Sequence, residues 1–63
     1  MSQTRKNLVD IPYVAEYLGT NVRHVRGLIF RREIPFHKVG ALVRFDLDDV
    51  DGWLEFHRIS AAV

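Results

Sequence analysis

Residues 10–29 read DIPYVAEYLGTNVRHVRGLI, two helical periods parted by a glycine. Asp10 precedes Ile11, Val14, Ala15 and Leu18, apolar at i, i+3, i+4 and i+7, which predicts one apolar stripe on a helix of about two turns. Asp10 is the expected N-cap, and Pro12 is tolerated in the first turn, where its missing N–H would have no intrahelical partner. Val9 and Val14 stand at the spacing of a hydrophobic staple. Gly19 ends the helix by taking the left-handed conformation that turns the chain sharply. Thr20 or Asn21 then caps a second helix with a stripe of Val25, Leu28 and Ile29. It runs until Pro35 forbids continuation and biases Ile34 toward extended backbone.

Beyond Pro35 the apolar period drops from helical to alternating. Strict alternation places His37, Val39, Val43 and Phe45 on one face of a hairpin, and Phe36, Lys38, Leu42 and Arg44 on the other, with Gly40 and Ala41 as the reversal. Lys38 and Arg44 then share an outward face. A lone hairpin is not stable in water, so this one must pack on the helices as a wing. Asp46 caps a third helix carrying Leu47, Val50, Trp53 and Leu54, with Phe45 and Val50 at staple spacing and Asp48, Asp49 and Asp51 in its first turn. Met1 to Lys6 and residues 58–63 read as frayed ends, and Arg5 and Lys6 are free to touch a polyanion. The pattern predicts a mainly α fold with a small β-hairpin: a winged helix-turn-helix of two motif helices, a wing and a C-terminal helix.

The chain has 63 residues, 27% of them charged, with no cysteine, which predicts one domain over 1–63 with an ordered core of about 8–57. So short a chain has little room for a closed catalytic cleft, and without thiols it has no disulfide or thiolate–metal staple. No enzyme, cofactor or small-molecule substrate is expected. No apolar run approaches the ~18 residues of a membrane span, and no secretion signal opens the chain, so a cytoplasmic protein without a membrane partner is expected. The net charge of +1 conceals a division. Residues 1–44 carry eight Lys/Arg against three acids, a net +5, whereas residues 45–63 carry Arg58 against five acids, a net −4.

Turning the second helix at about 100° per residue places Arg23, Arg26, Gly27 and Phe30 opposite its apolar stripe, with Val22 and His24 on the flanks. A helix laid in a DNA major groove needs donors near its N-terminus and small residues where the backbone comes close. Arg23 and Arg26 supply the donors, and Gly27, costly in an exposed helix, supplies the space. The helix N-terminus at Asn21 and Val22 offers N–H groups to a phosphate. Arg31 and Arg32 either grip phosphates or form a basic helix end. Phe30 either packs beneath the wing or stands exposed for a partner or a DNA sugar. On the wing, Lys38 and Arg44 would track a phosphate backbone or enter the minor groove. Tyr13, Tyr17 and Trp53 read as packing residues. His24, His37 and His57 have no metal-ligand spacing, so no metal site is expected.

The run V-A-E-Y-L-G-T-N, then V-R-G-L-I, then R-R-E-I-P-F-H-K-V-G, then V-R-F-D, then V-D-G-W-L resembles the excisionase family of recombination directionality factors. These are small winged helix-turn-helix proteins with a fold similar to the DNA-binding domain of MerR-like regulators. The resemblance covers about residues 8–56 and is most specific from Ile34 to Asp46. It implies a protein, phage-encoded or bacterial, that binds repeated sites on double-stranded DNA beside an attachment site. There it assists a tyrosine or serine recombinase, the integrase, in DNA excision. The recognition-helix positions it implies are Arg23, His24, Arg26 and Gly27, to which Arg31 is added, and the wing positions are Lys38, Ala41 and Arg44. The chain has Ala41 where the family often has a basic residue, and Gly27 where a longer one is usual, which passes base readout to Arg23 and Arg26. The +5/−4 division also allows neighbouring copies to associate cooperatively on DNA. The fold equally suits a small transcriptional regulator, and an arginine-rich helix also suits a module that binds an acidic protein partner.

Overall fold

The computed structural model describes residues 8–59. The elements run β1 (Leu8–Val9), α1 (Ile11–Tyr17), α2 (Val22–Phe30), β2 (His37–Val39), β3 (Leu42–Asp46) and α3 (Leu47–Phe56). Asp10 caps α1, its carboxylate accepting the Tyr13 N–H at 3.0 Å. At the other end Gly19, at φ +72°, donates to the Glu16 carbonyl and Thr20 to that of Ala15. This pair of bonds closes the helix and swings the chain into the next one. Asn21, rather than Thr20, caps α2 by accepting the His24 N–H at 2.8 Å.

The second helix stops earlier than the proline predicts. Arg31 is its C-cap, and Arg32 takes the left-handed conformation at φ +56°, with Arg32 N–H donating to Ile29 and Glu33 N–H to Leu28. The ending has the same bonding as that of α1, but a charged residue holds the place usually taken by glycine. Pro35 lies outside the helix and does not end it.

The sheet has three antiparallel strands in the order β1-β3-β2. β1 is too short to show alternation in the sequence, and it pairs Leu8 with Asp46 and Val9 with Phe45. Between β2 and β3 the partners are His37 with Arg44, Lys38 with Val43 and Val39 with Leu42. Partners share a face, so Lys38 lies with Val43, and Arg44 lies with His37 on the opposite face. The expectation that Lys38 and Arg44 share an outward face is therefore overturned. A two-residue turn links residues of opposite parity on one face, and simple odd–even counting across the turn misses that switch. Gly40, at φ +64° with Ala41 in an ordinary conformation, fits the hairpin turn that places glycine first.

Val14, Ala15, Val25, Leu28, Ile34, Phe45 and Val50 form the core, and Val14, Val25, Phe45 and Val50 are sealed from solvent. Each helix contributes to it, and Phe45 of the central strand is its largest sealed side chain. Asp46 caps α3 through the Asp48 N–H at 2.9 Å. Two polar ties hold α3 to the motif helices and the segment after them. Trp53 Nε1–H donates to the Glu33 carbonyl at 2.5 Å, and the Tyr17 hydroxyl donates to the Asp51 carboxylate at 2.5 Å. That carboxylate raises the Tyr17 pKa above the ordinary phenol value, because it stabilises the protonated hydroxyl.

Candidate nucleic-acid interface

The buried side of α2, Val25 and Leu28, presses on the core, so the helix must present its other side to solvent. Arg23, His24 and Arg26 are exposed there. Among the described residues neither Arg23 nor Arg26 has a carboxylate partner, nor do Arg32 and Lys38. Four cations near one helix are thus uncompensated, which concentrates positive potential on that side. The Asn21 cap engages the His24 N–H and leaves the N–H groups of Val22 and Arg23 outside the intrahelical ladder, aimed along the axis.

Gly27 is less open than its helical position suggests. A Cβ built there would meet Arg31 Nη1 at 3.2 Å, because the Arg31 guanidinium folds back one turn over the glycine. Arg31 Nε also sits 3.2 Å from Glu33 Oε2. Arg31 is therefore engaged within the chain, and contact with a phosphate requires it to exchange Glu33 for the new anion. Both partners are about half exposed, and such pairs are worth only ~0–1 kcal/mol, so the exchange is inexpensive.

On the hairpin Lys38 is exposed, on the face that also carries Val43, and Ala41 is exposed at the turn. Arg44 is half-buried, and its Nη1–H donates to the Val43 carbonyl at 2.8 Å. Its side chain lines a shallow hollow together with Val22, Arg26 and Ala41. The fold thus brings Arg23, Arg26 and Gly27 onto one side of α2 and separates Lys38 from Arg44. Arg5 and Lys6 lie outside the described residues.

Three features escape the sequence. Phe30 is 86% exposed, which decides between its two readings in favour of solvent. Tyr13 and Tyr17 are not core residues but stack on the exposed side of α1, with ring centroids 6.5 Å apart, whereas Trp53 packs against the core as expected. The turn into α3 brings His37, Asp46 and Asp49 together, with ligand atoms within 4.8 Å and His37 Nε2 at 3.6 Å from Asp49 Oδ2. No short-range spacing announces that group, since it is assembled from β2, the end of β3 and α3.

Two helices joined through a left-handed glycine, with the second exposed along its cationic side and a β-hairpin whose strand β3 packs on α1 and α3, define a winged helix-turn-helix. Residues 8–58 match the family model described as a helix-turn-helix domain. The chain belongs to that family of DNA-binding domains, which includes excisionase-like proteins. No curated protein and no solved structure shows a significant match to it. Among the described residues no helix is long and apolar enough to cross a membrane.

Proposed function

We propose that the protein is an excisionase: it reads a DNA site with α2 in the major groove, steadies itself through the wing, and promotes integrase-driven excision. The observation that carries the reading is the solvent-facing side of α2, where Arg23 and Arg26 stand exposed in front of an aliphatic back and, among the described residues, have no carboxylate partner. In this reading Arg23 and Arg26 donate to base edges, His24 and the N–H groups at Asn21 and Val22 meet phosphate, and Gly27 lets the backbone approach. Arg31 joins the phosphate contacts once it has left Glu33. Lys38 and Arg44 hold backbone on different sides of the hairpin, and Ala41 is the wing tip.

Support for the recombination role comes from the excisionase-like motif run of Ile34 to Asp46 and from the family's inclusion of excisionase-like proteins. Size favours a cooperative mode. A single module buries roughly 600–1,000 Å² on DNA, and a handful of phosphate contacts gives weak, salt-sensitive binding. Several copies side by side, or a co-bound integrase, then provide occupancy. The test is a footprint across the attachment site of the encoding element, with and without its integrase, together with an in vitro excision assay. Protected repeats and stimulated excision are expected. Protection of a promoter without any effect on recombination would assign the protein to transcriptional regulation. Absence of duplex binding at ~50 mM salt, where phosphate contacts are strongest, would leave the acidic-partner reading.

A further inference from the structure

Arg23, Arg26 and Phe30 stand at i, i+3 and i+7 on α2, so a single line along the helix carries two guanidinium groups and then an aromatic ring. The ring is 86% exposed although the hairpin lies beside it. Two shallow hollows flank it and share Ile29 and Val43 as an apolar floor. Arg26 borders the first hollow, and Arg32 and Lys38 border the second. Among the described residues no carboxylate lines either one. Arg32 is moreover held at φ +56°, where a glycine would make the same turn without strain. A strained backbone at a position that keeps its long cation points to work done by the side chain.

An apolar floor rimmed only by cations complements duplex DNA, where phosphates flank deoxyribose and thymine methyl groups. It complements a second copy of this chain less well, since Asp51 of the acidic helix already accepts the Tyr17 hydroxyl, whereas a duplex supplies phosphates along its whole length. We infer that Phe30 is a DNA-contact residue whose ring lies on the apolar edge of the duplex, with Arg26 reaching a base edge on one side and Arg32 and Lys38 holding phosphate on the other. The inference rests on the reading of α2 as the DNA-facing helix.

The test is fluorescence anisotropy on the tightest duplex selected from a random-sequence pool, read across a salt series. Phe30→Ala is expected to keep the wild-type melting temperature and to weaken binding by about ten-fold or more. The slope of log Kd against log salt stays unchanged, because an apolar contact releases no counterions. Phe30→Leu recovers most of the affinity, and Arg32→Gln lowers the slope by about one unit. Exchanging thymine for uracil locates the contact: a loss that vanishes on uracil DNA puts the ring on a methyl group, and one that persists puts it on deoxyribose. Wild-type affinity in Phe30→Ala, alongside weakened binding in Arg23→Ala, overturns the contact and leaves the DNA reading standing. Failure of the wild-type protein to bind any pool member overturns both. Loss of self-association in Phe30→Ala by sedimentation, with unchanged affinity for a single site, assigns the surface to a second copy and overturns the inference.

Discussion

Gly27 is a mid-helix glycine whose empty place is filled by the side chain of Arg31, the residue that caps the same helix. Gly27→Ala would push the Arg31 guanidinium outward by a few tenths of an ångström, which an exposed, flexible side chain accommodates. Alanine's helix propensity, up to about 1 kcal/mol better than glycine, should therefore win, and denaturant unfolding should show a gain of about 0.5 kcal/mol. Duplex affinity should fall if the backbone at Gly27 approaches DNA, so stability and binding move in opposite directions. Arg23→Ala is expected to cost about 1–3 kcal/mol of binding and to relax sequence preference. An equal loss on specific and scrambled duplexes would place Arg23 on a phosphate. Lys38→Ala should weaken all duplexes alike and lower the salt slope by about one unit. Arg23 and Arg26 were legible as a pair because helical spacing alone puts them opposite Val25 and Leu28. The Arg31–Glu33 pair was not, since residues two apart do not face each other within a helix and they meet only because the chain leaves the helix at Arg31 and turns at the left-handed Arg32.

The helices announced their own beginnings. Asp10, Asn21 and Asp46 each accept a backbone N–H of the first turn, and short polar side chains before an apolar period are readable as caps from local chemistry alone. Endings were less uniform: Gly19 was visible, but the left-handed Arg32 carried no signal, and Pro35 drew attention past the true end. The strands were legible as a period but not as a register, because register depends on which residues pair across the turn. Gly52 offers a clean test of local propensity. It lies inside α3 with an ordinary backbone, and a Cβ there would meet nothing within 4 Å. Gly52→Ala should stabilise the fold by about 0.5–1 kcal/mol in denaturant unfolding and leave duplex affinity unchanged. A neutral or destabilising result would mean that α3 contributes its backbone to something beyond the helix itself.

For the molecule as a whole, the tie between α1 and α3 makes stability sensitive to high pH. Tyr17 in the folded chain has a pKa raised above its unfolded value, through the hydrogen bond to Asp51 first, then desolvation and the nearby carboxylate charges. Its contribution is thus fully present below the ordinary tyrosine value of about 10 and is lost as pH rises through the higher folded value. Thermal melts should show a decline in that alkaline window, and Tyr17→Phe should remove this component of it. An identical alkaline decline in wild type and variant would show that the bond does not survive in solution. Amino-acid order by itself determined the three helices, the N-caps Asp10 and Asp46, the glycine turn, the existence of a wing and the cationic side of α2, because each depends on residues within a few positions of one another. Only the tertiary structure decided that Leu8 and Val9 join the sheet, that Lys38 and Arg44 part company, that Phe30 stays in solvent and that His37 meets Asp49. Those outcomes depend on contacts between segments distant along the chain, which are set by how the core around Phe45 closes and leave no periodic trace in the sequence.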